Sequence, residues 1–100
     1  MSIKNPEIPD FTGNRISITT EDEVLEFDAA KDMAKQKARE LSADPMLLSW
    51  YRGKTGEYYP AFECGSSQKP AWIVFAEARG GDILVNINDG EYVFIYLSVD

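Results

Sequence analysis

The sequence predicts an α+β fold: one main helix packed on a mostly antiparallel sheet of about five or six strands, with the helix between the first strand and the rest. Three observations carry this. A single stretch, Asp28 to Leu41, repeats its apolar residues at helical spacing. Several later runs alternate with period two and are rich in aromatic and β-branched residues. Short Gly-containing turns separate those runs, as hairpins require and helical crossovers do not.

Residues 1–14 carry Pro6, Pro9 and Gly13 without periodicity and are expected to form a loosely held arm before a single domain over 15–100. Arg15 to Thr20 alternates as a short strand. An acidic run, EDEVLEFD, leads to the helix, with Asp28 as the expected N-cap. Ala30, Met33, Ala34, Ala38 and Leu41 then form its apolar stripe, and Pro45 lies beyond its end. Leu47 to Arg52, Glu57 to Glu63, Trp72 to Ala78, Ile83 to Ile87 and Glu91 to Leu97 read as strands. The pair Asp89-Gly90 is a strong hairpin signal, but loops of two or three residues leave opposite faces aligned, so the register stays open.

Composition excludes more than it selects. The chain has 100 residues, 44 % of them hydrophobic, which suits one domain with a real core. A net charge of −7 disfavours nucleic-acid backbones and anionic membranes, whose binders carry the opposite excess. With no histidine, serine–histidine and cysteine–histidine machinery is excluded. Neither a metal site nor a cofactor is expected. The lone thiol, Cys64, suits a reducing cytoplasm, and the first residues lack the apolar core of a signal peptide. The longest apolar run, Tyr92 to Leu97, is far shorter than a membrane span of about 20 residues.

Gly53-Lys54-Thr55 resembles the end of a phosphate-binding loop. Such a loop needs a glycine five positions earlier, where Leu48 stands, and a helix after the threonine, where Gly56-Glu57-Tyr58-Tyr59-Pro60 stands. The stretch is therefore a turn. Asn86-Ile-Asn-Asp-Gly90 likewise has its glycine out of register for a calcium loop.

Few residues remain as candidates for chemistry. Lys37 falls near the middle of the expected apolar stripe, where a desolvated lysine would have a lowered pKa, though a lysine whose stem packs while its ammonium reaches water fits as well. Lys31, Lys35 and Arg39 read as a solvated basic ridge, and the acidic run before the helix as favourable charge at its N-terminus. Glu77 and Arg79, on one expected strand before Gly80-Gly81, could grip a small anion, with Trp50, Tyr58 and Trp72 as neighbouring walls. A cross-strand ion pair is the structural alternative. Glu57 with Glu63 could serve as an acid–base pair, without evidence of a cleft, and no catalytic residue is assigned.

One helix about 10 Å wide cannot shield a five-stranded sheet about 24 Å across. The expected function is therefore a non-catalytic cytoplasmic interaction domain that self-associates, as a dimer, through apolar sheet surface. A small-anion binder using Arg79 is the alternative, and an enzyme using carboxylates or Lys37 the second. The stretches DPMLLSWYRGKTGEYYPAFEC and PAWIVFAEARGGDILVNINDGEYVFIYL resemble a small uncharacterised family of archaeal and bacterial proteins, over about residues 28–97. That resemblance implies a compact α+β domain of prokaryotic origin and supplies no site residues.

Overall fold

A computed structural model describes residues 13–21, 25–59 and 71–99. The expected N-terminal arm, apart from its last two residues, lies outside them, as do Glu63 and Cys64. In chain order the elements are β1 (Asn14–Ile18), α1 (Phe27–Ala38), β2 (Met46–Arg52), β3 (Glu57–Tyr59), α2 (Ala71–Ala78), β4 (Ile83–Ile87) and β5 (Tyr92–Leu97). The strands form one sheet in the order β1-β4-β5-β2-β3. The β1–β4 pair is parallel and the other pairs are antiparallel, so the class is α+β with a mostly antiparallel sheet.

Alternation along the central strands builds two cores. Ile83, Val85 and Ile87 of β4 face the same way as Tyr92, Phe94 and Tyr96 of β5, and α1 covers them. Leu84, Val93 and Ile95 face the other way and are covered by α2. The β4–β5 register is the one set by a two-residue Asp89-Gly90 loop, with Val85 opposite Phe94. Both loop residues have positive φ, 55° and 99°, as the hairpin turn that matches strand twist demands. Asn86 fastens the turn by accepting the Gly90 N–H at 2.7 Å.

The second helix corrects the strand expected over Trp72–Ala78. Its buried residues are Trp72, Ile73 and Ala76, a spacing of one and four that belongs to a helix. Its end is equally definite. The Gly81 N–H donates to the Ala76 carbonyl at 2.8 Å and the Gly80 N–H to the Glu77 carbonyl at 3.1 Å. With φ of +85° at Gly80, this is the paired-bond helix stop that glycine makes possible. Gly81 is packed tightly too: an added Cβ would stand 3.0 Å from the Ala76 carbonyl and from Ile95 Cγ2.

Two further expectations about α1 change. It begins at Phe27 with Glu26 at the cap position, so Asp28 lies inside the first turn rather than at the N-cap. The buried stripe is Ala30, Ala34 and Ala38, four residues apart, and these small side chains seat the helix close on the sheet. Because the helix ends at Ala38, Leu41 leaves the stripe and is 48 % exposed. The strand expected over Glu57–Glu63 is described as Glu57–Tyr59, its remainder lying outside the described residues.

The predicted shortage of cover does not arise. With α1 on one face and α2 on the other, β4 and β5 are dry on both sides within one chain. The helices are offset, however. α1 lies over β4 and β5, whereas α2 lies chiefly over β2. That offset leaves the β2–β3 end of the α1 face less covered by helix.

Candidate functional site

The five residues expected to line a ligand site do not converge. Trp50 points to the α1 side of the sheet, while Tyr58 and Trp72 belong to the α2 side. Trp72 is buried and stacks on Tyr51, with centroids 5.1 Å apart and planes 9° from parallel. Arg79 caps the far end of the same helix, about 10 Å along the axis from Trp72 at 1.5 Å per residue. Glu77 and Arg79 are two residues apart across a helix end rather than a strand, so they do not share a direction. The Arg79 guanidinium sits 3.7 Å from the centroid of the Phe75 ring, and its Nη1 donates to the Phe75 carbonyl at 3.3 Å. It closes its own helix.

Lys37 stands on α1, apart from these residues. Its side chain is 47 % exposed and lies 3.7 Å from Glu40, one turn further on. The alanine stripe runs past it, so the lysine is on the solvent side. Glu57 is committed to Arg52 at 3.2 Å and accepts a hydrogen bond from Thr55. Among the described residues no group of three acidic or cysteine side chains is placed to hold a metal ion. None of the described helices is long and apolar enough to cross a membrane.

The Gly53-Lys54-Thr55 stretch is the turn between β2 and β3. The Gly56 N–H donates to the Arg52 carbonyl at 2.8 Å, and Gly56 has φ of +79°. The Gly53 N–H donates to the Glu91 carbonyl at 2.8 Å, and Lys54 pairs with the Glu91 carboxylate at 3.1 Å. Asn88 supports the same acid by donating from its amide at 3.0 Å, while its own carbonyl accepts from the Thr20 backbone. Three segments of chain are thus tied at one end of the sheet. The Asn88 hydrogen bond, and then the Lys54 charge against the cost of partial burial, hold the Glu91 carboxyl below its ordinary value.

What the fold does assemble is an aromatic surface on the α1 side of β2 and β3. Trp50 and Tyr59 are cross-strand partners with centroids 6.2 Å apart and planes 18° from parallel. Trp50 also meets Phe27 edge-on at 4.8 Å. Arg52, two residues along β2, lies 5.0 Å over the Phe27 ring and pairs with Glu57 across the strands. Tyr59 is 54 % exposed, among the most exposed large hydrophobic side chains of the described residues. Tyr59, Phe27 and Arg52 were not among the sequence candidates. Once a four-residue loop is assumed over Gly53–Gly56, the opposition of Trp50 and Tyr59 follows by counting; Phe27 needs the helix docked.

No curated protein matches the sequence. Among solved structures, the chain is similar to that of a novel protein, AF1514, from Archeoglobus fulgidus DSM 4304. The two are 26 % identical, with a TM-score of 0.75 over 88 % of this chain and 96 % of that one. Residues 13–96, from just before β1 to the last residue but one of β5, match the family described as Domain of unknown function (DUF5619), and the chain belongs to that family.

Proposed function

We propose that this chain is a non-catalytic, cytoplasmic interaction domain whose contact surface is the Trp50–Tyr59 stack with Arg52 and Glu57 beside it. One observation carries the reading: two large aromatic side chains sit together, partly open to solvent, on the edge strand β3 and its neighbour β2, at the end of the sheet that α1 leaves less covered. Exposed aromatic rings flanked by an arginine are the composition that interface centres favour. Of the residues considered for catalysis or anion binding, Lys37 pairs with Glu40, Glu57 with Arg52, and the Arg79 guanidinium lies over the Phe75 ring. A lone thiol in the sequence fits a reducing compartment.

Hydroxyl-radical footprinting tests the reading. Trp50 and Tyr59 should be modified readily in the purified protein at high dilution and be protected in concentrated extract of the cells that make it. Equal modification in the two preparations would refute the contact role.

A further inference from the structure

We infer that Asp89 is a site of slow covalent modification, converting to isoaspartate through a cyclic imide with Gly90, and that the Asn86 side chain sets the rate. Asp89 is the only aspartate or asparagine of the chain that precedes glycine. Glycine matters because, without a Cβ, its backbone nitrogen can close on the neighbouring carboxyl group. Asp89 is exposed, and a Cβ built on Gly90 would meet nothing within 4 Å, so the space beside the glycine is open. The chemistry needs water alone. The Gly90 nitrogen bonds to Asp89 Cγ, and the amide proton and the carboxyl hydroxyl leave together as water. Water then adds back to the ring. Attack at Cγ restores aspartate, whereas attack at the main-chain carbonyl leaves the chain running through Cγ, with no change in mass or oxidation state.

Ring closure requires the Asp89–Gly90 peptide to turn its nitrogen towards the side chain, and the fold opposes that. The Gly90 N–H donates to Asn86 Oδ1 at 2.7 Å. Asn88 is anchored by its N–H on the Ile18 carbonyl at 2.8 Å and by its side-chain amide on Glu91 at 3.0 Å. Asp89 itself is held at φ of +55°. Of these restraints, the Asn86 hydrogen bond is the one on the attacking nitrogen. Its release is a condition of reaction, whereas opening of the core is not. The consequence does reach the core: the product adds one atom to the main chain in the turn that sets the pairing of β4 with β5.

Ageing of the full chain in neutral buffer, with isoaspartate located and quantified by peptide mapping, tests the inference. The parent should isomerise at Asp89, at least severalfold more slowly than the same chain unfolded in urea. Asn86→Ala, aged well below its own melting transition, should isomerise severalfold faster than the parent. Asn86→Asp, whose carboxylate can accept the same N–H, should stay near the parent rate. Phe94→Leu, which loosens the core without touching the turn, should also stay near it and separates local release from general destabilisation. Isoaspartate absent from position 89 even in urea would overturn the modification. A folded parent as fast as the unfolded chain, an Asn86→Ala chain no faster than the parent, or either control variant as fast as Asn86→Ala would overturn the role of Asn86.

Discussion

Replacing Gly53 with alanine tests how the two hairpins are joined. Gly53 has no need of positive φ, so an alanine faces no backbone penalty of its own. The obstacle is steric: the new Cβ would fall on the Gly90 carbonyl oxygen and 3.4 Å from the Glu91 Cα. Both obstructing groups are backbone, in a turn held by the Gly90–Asn86 hydrogen bond, so neither can swing aside as a side chain could. Relief means prising the β2–β3 loop from the β4–β5 turn. That breaks the Gly53–Glu91 hydrogen bond, at about 0.5–1.5 kcal/mol, and stretches the Lys54–Glu91 pair, whose lysine is exposed and whose carboxylate is mostly buried, at about 0.2–1 kcal/mol. Stiffening of the unfolded chain returns about 0.4–1 kcal/mol. Residual overpacking adds about 1–3 kcal/mol. The expected net loss is about 1–5 kcal/mol, or a fall in melting temperature of at least about 4 °C for a domain of this size. Urea denaturation measures it as a lower midpoint with unchanged slope. An alanine variant as stable as the parent, or more so, would mean that chain entropy dominates and that the close approach of the loops is not real.

Other substitutions separate the core from its apparent members. Leu41→Ala should change stability by less than about 0.5 kcal/mol because the side chain is half exposed, whereas Phe94→Ala, fully buried between β4 and β2 under α1, should cost about 3–5 kcal/mol; equal costs in chemical denaturation would reverse the assignment. Tyr96→Phe should be neutral or stabilising by up to about 1 kcal/mol, since the hydroxyl is buried with no hydrogen-bond partner among the described residues, and burial, followed by the charge of Asp32, pushes its pKa up to about 12. A clear destabilisation would reveal a partner for that oxygen. Glu91 has a folded pKa below its ordinary 4.5, so its stabilisation is complete above that value and is lost as pH falls through the lower, folded one. Glu91→Gln should flatten the acid limb of the stability–pH curve; an unchanged slope would remove Glu91 from it.

The elements legible in the amino-acid sequence are those specified by local chemistry. Asp89-Gly90 supplies positive φ at two successive residues, which few pairs can do, so a hairpin is readable from two letters. Gly53-Lys54-Thr55 lacks the glycine and helix of a phosphate loop and is readable as a turn for the same kind of reason. Short, near-continuous runs of β-branched and aromatic residues announce β4 and β5, and the alanine spacing announces α1. The run AWIVFAEA is not legible, because its aromatic and β-branched content is that of a strand while its burial at Trp72, Ile73 and Ala76 is that of a helix. Arg79-Gly80-Gly81 is the signal that distinguishes them, as a helix stop rather than a hairpin turn.

That single ambiguity governs where a site can lie. As a strand, residues 72–78 would widen the sheet and leave it uncovered; as a helix they cover its second face and send Glu77 and Arg79 apart. Lys37 and Leu41 turn on an equally distant fact, the point at which α1 ends against the sheet. Class, turns and the long helix were determined by the sequence alone, since each depends on neighbours within a few positions. Tertiary structure decided which face each helix shields and which aromatic rings remain open, because burial is a property of what packs from elsewhere in the chain.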